Sequence, residues 1–436
     1  MTATQIGVVS IVVMLYLIYT GMHVPVAFCL VSLIGVWAIK GSFEQASALL
    51  ALATADAVST YDYGVIPLFV LMGLLVSVAE LGRDAFLAAN ALLGRIKGGL
   101  GVATVAANAL FAAVTGVSIA SATVFTKIAV PEMIRLGYRK RFAVGVVAGS
   151  SVLGMLIPPS LLLIVYGLLS EQSIGDLFIA GVVPGLLLAT VFALMIVLIA
   201  TFAPSRVYAG AIASEAGPGE DTARALVRLT PLLGLASLVI GGIYAGWFTA
   251  TESGAVGALG GLALALWRRK LTWTGAWRVL VETGQVTVAI LFVIIAANVY
   301  TRLIALSGLP AVLNDFVAGA HLSFFLLLLI YALIIVLMGT MIDAVSIMLI
   351  MVPMFLPLVA PYQVNLIWFG IVTVIAAEIG LLTPPFGLSV FVIKSTLTDN
   401  DITLEDIFAG AAPFAVAMFL VLLLIILVPS IVTVLL

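Results

Sequence analysis

The chain has 436 residues, of which 64% are hydrophobic and 9% charged, with a formal net charge of −2. Soluble domains carry about 25% charged residues, so this composition excludes a water-soluble globular fold. Many of its apolar runs reach the ~20 residues that cross a bilayer core. A single cysteine, Cys29, excludes internal disulfides and cysteine-based metal clusters.

The opening segment "MTATQIGVVSIVVMLYLIY" has no basic n-region and no small-residue cleavage pattern, so it reads as a retained span. Spans are expected near 6–21, 24–39 and 64–82. The next apolar stretch, about 98–134, is too long for one crossing and awkwardly short for two, with "TGVSIASAT" at its centre. A re-entrant hairpin, two half-length helices that enter and leave on one side, accounts for both facts. Spans near 142–169 and 179–202 follow, then a polar connector at 204–230 and spans near 231–249, 252–267 and 285–306. A second over-long stretch, 322–361, is interrupted by "MGTMIDAVS" and reads as another hairpin before the last spans, 366–394 and 409–433.

Charge placement supports this arrangement. With both stretches as hairpins, one side collects Arg83, Arg95, Lys97, Arg135, Arg139, Lys140, Arg141, Arg206, Arg224, Arg228, Arg268, Arg269, Lys270, Arg278 and Lys394. Only Lys40 falls in a loop on the other side. The basic side is therefore expected to be cytoplasmic and both termini periplasmic. The first hairpin then opens to the cytoplasm. The second, flanked by His321 and no Lys or Arg, opens outward.

The expected architecture is an all-α polytopic membrane protein whose halves, 1–203 and 231–436, repeat with inverted topology. In each half a hairpin precedes a Pro-Pro pair, "GMLIPPSLLL" and then "GLLTPPFGLS". After each pair comes a related segment, "GDLFIAGVVP" or "EDIFAGAAP". Two successive prolines unwind a helix, and unwound backbone at membrane depth persists only where protein or a water-filled cavity satisfies it. Such breaks expose carbonyls and helix ends that hold ions.

A small hard cation needs several oxygens. The first tip offers Ser118, Ser121 and Thr123 beside carbonyls near Gly116 and Gly154, with Ser150 and Ser151 just ahead of the break. The second offers Gly339, Thr340, Ser346 and Thr383, with carbonyls near Gly380. Small residues at the same places also serve close helix packing. Intramembrane ionisable groups point to function: Asp343 at the second tip, Glu378 before the second break, Lys127 on the first hairpin and Arg302 near Asn298. Asp343, Ser346, Asn298, Arg302, Lys127 and Glu378 are the candidates for touching a substrate. The plainer alternatives are that Glu378 braces its broken helix, Lys127 pairs with Glu132 and Arg302 snorkels to the interface. His23 and His321 form no metal pattern, and no P-loop, H-E-x-x-H or G-x-S-x-G sequence occurs.

The segments "GVSIASATVFTKIAVPEM", "GSSVLGMLIPPSLLLIVYG", "GTMIDAVSIMLIMVP" and "EIGLLTPPFGLSVFVIKS", with the opening "GMHVPVAF", resemble the large membrane (M) subunit of tripartite ATP-independent periplasmic (TRAP) transporters, the DctM-like family. The resemblance covers nearly the whole chain. One departure is the first tip, Gly-Val-Ser-Ile-Ala-Ser, where many members carry a denser Gly/Ser run. It implies a bacterial inner-membrane importer that works with a small four-helix membrane subunit and a periplasmic substrate-binding protein. It further implies carboxylate cargo such as C4-dicarboxylates or sialic acids, a sodium gradient as the driving force, no other cofactor, and an elevator-type transport domain moving against a scaffold. By the same resemblance, sodium sites fall on Gly116, Ser118 and Ser121 with Gly154 and Pro158, and on Gly339 and Thr340 with Gly380 and Thr383. A stand-alone carboxylate symporter is the alternative within the class. An intramembrane enzyme using Asp343 and Glu378 as a carboxylate pair, or a passive channel, is the alternative outside it. Nucleic acid is not an expected partner.

Overall fold

In the computed structural model, which describes residues 1–210, 222–320, 323–397, 399 and 401–436, almost every apolar run is helical. The centre of the connector, 211–221, and His321 lie outside the described residues. Helices α1 (Ala3–Tyr19), α2 (Val24–Lys40), α3 (Phe43–Val58), α4 (Val65–Val78) and α5 (Leu81–Leu93) open the chain. A helix pair, α6 (Gly99–Thr115) and α7 (Ser118–Arg135), is followed by α8 (Lys140–Ser151), a 3₁₀ turn at Val152–Met155, α9 (Leu161–Ser170), α10 (Ile174–Phe202) and α11 (Pro204–Val207). The second half runs through α12 (Thr222–Tyr244), α13 (Ala250–Trp267), α14 (Trp273–Ser307) and α15 (Leu309–Gly319). It then repeats the series: a pair, α16 (Phe324–Gly339) and α17 (Ala344–Val359), an interrupted helix, α18 (Leu366–Leu382) and α19 (Leu388–Thr396), and the long α20 (Leu404–Leu427) with a final turn α21 (Ser430–Thr433). Among the described residues the sole β-type pairing is one isolated bridge, Tyr138–Tyr208.

Local chemistry sets these boundaries. Ser173 and Thr403 cap α10 and α20, each accepting from the backbone N–H of an aspartate three residues on, Asp176 and Asp406. Ser323, Asp343 and Asn365 cap α16, α17 and α18 in the same way. Apart from the single turn α11 in the connector, three helices lie outside the expected spans: α3, α5 and α15. Their sequences mix acids and amides into the apolar pattern, as in "FEQASALLALATADAV", so hydropathy alone passes over them. Helix α14 also runs well beyond the expected 285–306, because "WTGAWRVLVETGQ" contains no proline to stop it.

Two groups of helices emerge from the packing. In the first, α1, α2 and α3 lie along α14, α4 packs against α13 and α14, and α12 bridges α13 and α5. Glycines at 254, 257 and 261 put one flat stripe of α13 against Leu68, Met72 and Leu75 of α4. In the second, the two halves exchange partners: α8 lies on α20, and α18 lies on α9, α10 and α16. At the α8–α20 crossing Gly145 and Gly410 are so close that a Cβ on either would overlap the other's backbone. Lys140 at the start of α8 reaches Asp399 ahead of α20 at 2.7 Å, a further tie between halves. The ammonium there holds the Asp399 carboxyl below its ordinary range. Apolar side chains that no helix covers, such as Val12, Leu52, Leu259, Leu333 and Leu420, lie on the outside, as a lipid-facing surface requires.

Overpacking a close crossing typically costs about 1–3 kcal/mol. Gly145→Val is therefore expected to lower the melting temperature in detergent clearly. Gly241→Ala, where an added Cβ meets nothing within 4 Å, should hold or raise it. Equal melting of Gly145→Val and the parent would show that α8 and α20 do not meet there.

Candidate functional site

The interrupted helices are closed by the tips of the helix pairs. Between α6 and α7 the chain turns at Gly116, which has φ +66°. Its carbonyl accepts from the N–H of Leu161 at 3.1 Å, just beyond Pro158-Pro159. A Cβ at Gly116 would sit 2.5 Å from the Pro159 oxygen, and one at Gly154 would sit 3.0 Å from the Val117 oxygen. Only glycine permits either contact. The second tip docks in the same manner: Phe386, next to Pro384-Pro385, donates to the Thr340 carbonyl at 3.1 Å. Gly339 and Gly380 pack backbone to backbone, so a Cβ on Gly339 would lie 2.7 Å from the Gly380 Cα.

A cavity of about 400 Å³ lies where the tips and breaks meet. It is walled by Val117–Ala120 and Thr123 of the first tip, by Asp343–Val345 of the second, and by Leu161, Leu381 and Leu388 at the breaks. The opposite wall is Val70, Gly73 and Ser77 of α4 with Glu282, Val286 and Ile290 of α14. The cavity thus sits on the seam between the two helix groups.

Among the described residues no basic side chain lines it; Asp343 and Glu282 are its ionisable groups. Positive potential comes instead from the backbone. Helices α7, α9, α17 and α19 all begin at this wall, and a helix N-terminus carries free N–H groups and about +0.5 charge. Val117 and Gly387 provide no side-chain cap, so the ends of α7 and α19 remain open. The α17 end is partly quenched, because Asp343 accepts from the Ser346 backbone N–H at 3.0 Å and from its hydroxyl at 2.6 Å.

Several hydroxyls at the breaks are buried without a hydrogen-bond partner. Ser118 and Ser121 are both fully buried, and neither Oγ has one. Ser389, one residue into α19, is in the same condition. Sequence reasoning quoted Ser389 within the second proline motif and passed over it; the signal was its place right after the break. Unanswered buried hydroxyls are costly, and oxygens of this kind beside unwound carbonyls are what a bound sodium ion uses. Thr340 and Thr383 spend their hydroxyl protons on the Leu337 and Ile379 carbonyls, which leaves the oxygen lone pairs free to ligate. Ser150 is tied to Asn108 and Val146, and Ser151 to Ala148. Pro158 packs against Gly181 of α10.

The remaining candidates are dispersed. Asn298, in the C-terminal half of α14, bonds the Ile294 carbonyl and Tyr63. Arg302 pairs with Asp56 of α3 at 2.6 Å. Neither borders the cavity, so the expectation that they face a substrate there is not met. Glu132 pairs with Arg135, and Lys127 lies instead in a separate pocket. Glu378 is 1% exposed, with both carboxyl oxygens unpartnered, and it too is absent from the cavity wall. Asp343 and Glu378 therefore do not share a cavity, and the carboxylate pair an enzyme would need is not assembled there.

A family profile described as "Tripartite ATP-independent periplasmic transporter, DctM component" matches residues 11–431. The chain belongs to this family. It is 35% identical to the C4-dicarboxylate TRAP transporter large permease protein DctM of Pseudomonas aeruginosa, over 79% of this chain and 80% of that one. It is 31% identical to the sialic acid TRAP transporter large permease protein SiaM of Vibrio cholerae, over 84% of each. Among solved structures, the Alcanivorax borkumensis YdaH transporter has a similar fold, with a TM-score of 0.56 at 14% identity over 83% of this chain and 85% of that one. The DctM-family chain is thus a multi-pass membrane protein and the large permease component of a transporter. Membership implies a small permease component and a binding protein as partners.

Because the Ser121 hydroxyl has no partner, Ser121→Ala removes no bond. Its stability in sodium-free buffer should stay within about 1 kcal/mol of the parent. A much larger loss in a detergent melt would mean that a protein group, not an ion, answers this hydroxyl.

Proposed function

We propose that the chain is the large permease subunit of a sodium-coupled importer of organic carboxylates, acting with a small membrane subunit and a periplasmic binding protein. One observation carries the reading. A single cavity gathers the starts of four helices, of which those of α7 and α19 are uncapped and suited to an anion, no basic side chain lines it among the described residues, and unpartnered Ser118 does. Ser121 lies one turn from Ser118 on α7, and Ser389 lies one residue from the cavity-lining Leu388. Sodium is assigned to Gly116, Ser118, Ser121, Gly154 and Pro158 at the first break. At the second it is assigned to Gly339, Thr340, Gly380 and Thr383, joined by Ser389. The carboxylate is assigned to the open ends of α7 and α19, with Asp343 and Ser346 shaping the α17 side. Relatives named for C4-dicarboxylate and sialic acid support the carboxylate class.

The pairs α6–α7 and α16–α17 act as re-entrant hairpins in inverted halves, 1–203 and 231–436, of a bacterial inner-membrane protein with periplasmic termini. Interlocking of α6–α10 with α16–α20 supports one moving body, and α1–α4 with α12–α14 supply the scaffold, with α5 packed on both α6 and α12 between them. The cavity on the seam between them then changes sides as the body slides, elevator fashion.

Reconstitution with the small subunit tests the assignment. Uptake of labelled succinate or sialic acid should require both an inward sodium gradient and the binding protein. Uptake without the binding protein would mean a stand-alone carrier, and uptake indifferent to any ion gradient would overturn coupling. Ser118→Ala and Thr383→Ala should each raise the half-saturating sodium concentration about tenfold, the scale of one lost ion–oxygen contact. Unchanged sodium activation would remove both from the ion sites.

The elevator step has its own test. Gly73 of α4 lies against Thr115 at the first tip: a Cβ on Gly73 would sit 2.9 Å from the Thr115 oxygen and 3.3 Å from its Cα, so thiols at the two positions are neighbours once the backbone gives slightly. In a Cys29→Ser background, oxidising a Gly73→Cys, Thr115→Cys pair should arrest uptake, and reduction should restore it. Undiminished uptake by the oxidised pair would rule out sliding at this seam.

A further inference from the structure

A second pocket, of about 420 Å³, opens between α7 and the end of α19, on the basic face that the charge pattern assigns to the cytoplasm. Lys127, Thr126, Ile134 and Thr396 line it. Two features mark it as more than a surface dent. Lys127 is exposed and makes no ion pair or hydrogen bond among the described residues. Thr126 beside it is 2% exposed, and its hydroxyl has no partner. The other charges on the wall are already spoken for, Arg135 by Glu132 and Asp399 by Lys140. The pocket falls in the size range of small-ligand sites, and its uncommitted charge is positive.

Its place on α7 gives it a role. Ile119 and Thr123 line the central cavity, and Lys127, Val130 and Ile134 line this pocket. These positions follow the i, i+4, i+8, i+11, i+15 spacing of one helix face. Thr123 and Lys127 are about 6 Å apart along the axis. The two sites are therefore successive stations on one stripe of α7. The central one holds an anion by helix ends alone, and the outer one offers a full charge.

We infer that Lys127 and Thr126 form a release-side anion site, which receives the carboxylate of the cargo as it leaves the central cavity toward the cytoplasm. The inference rests on the proposed reading that the cargo is a carboxylate. Its functional consequence is that internal anion occupies Lys127 and slows unloading, so the site sets how strongly accumulated product restrains further uptake.

The test uses the chain with its small membrane partner in nanodiscs of phosphatidylcholine, with acetylation of Lys127 followed by peptide mass spectrometry. Succinate or sialic acid at millimolar concentration should slow acetylation of Lys127 several-fold and leave Lys40 unaffected. Thr126→Val should weaken that protection. Equal protection by inorganic phosphate would overturn a carboxylate site in favour of an unselective one. Protection seen only when phosphatidylglycerol is added to the disc would assign the pocket to a lipid headgroup, and no protection at all would remove the site. In proteoliposomes, Lys127→Gln should raise the internal carboxylate concentration that halves uptake about fivefold, the scale of one exposed charge contact, and Lys127→Arg should restore it. Sodium-driven uptake with Lys127 unprotected sinks this inference alone. Protection of Lys127 without sodium-driven uptake sinks the coupling mechanism and leaves the anion site standing.

Discussion

A helix interrupted inside a hydrocarbon slab leaves backbone N–H and C=O groups that lipid cannot answer, and the rest of this structure is arranged around two such interruptions. Each is met by the turn of a helix pair that arrives from elsewhere in its own half. Leu161 gives its N–H to Gly116 and Phe386 gives its own to Thr340. The fit leaves no room for side chains, which is why Gly116, Gly154, Gly339 and Gly380 stand at the contacts. The remaining helices then have to bring these pieces to one depth and hold them there. The exchange of α8 onto α20 and of α18 onto α9 and α10 does that.

That arrangement also decides the electrostatics of the cavity. Four helices start at its wall and two of them, α7 and α19, are uncapped, so its positive field comes from peptide dipoles, about half a charge at each open end. Backbone dipoles need no counter-charge when the cavity empties, whereas a fixed arginine at this depth would have to be paired or hydrated in every state. Some of its long basic side chains are committed to partners away from the cavity, as with Arg302 on Asp56 and Arg268 on Asp84.

Much of this was legible in the sequence because the signals were local. A Pro-Pro pair announces a break wherever it sits, and an apolar stretch of the wrong length with serines at its centre announces a turn. The helix pairs at 99–135 and 324–359 lie where those signals put them. What a linear pattern does not carry is azimuth. Asn298 and Arg302 have the composition of a binding site and sit on an apolar helix, yet they face α3 and Tyr63. Lys127 was legible as an unusual charge, but only its angular position on α7 shows that it belongs to a second pocket one turn beyond Thr123. Helices α3, α5 and α15 were missed for a related reason: their polar residues interrupt the hydropathy signal without interrupting the helix.

The absence of fixed positive charge from the cavity wall bears directly on coupling. An arginine in the site would bind a carboxylate whether or not sodium were present, and the loaded body could then cross without its driving ion. With helix ends alone, and with Asp343 opposing them, the anion's charge is only partly offset. On the proposed reading the balance comes from cations at the adjoining breaks, where Ser118, Ser121 and Ser389 stand buried with unanswered hydroxyls. On the proposed reading, the broken helices serve as one electrostatic device: their N-terminal ends face the anion, their carbonyls and hydroxyls face sodium, and neither ligand is well held without the other. A permease built this way does not need a gate to enforce symport, because the half-loaded site retains an unbalanced charge that opposes its passage through the low-dielectric seam.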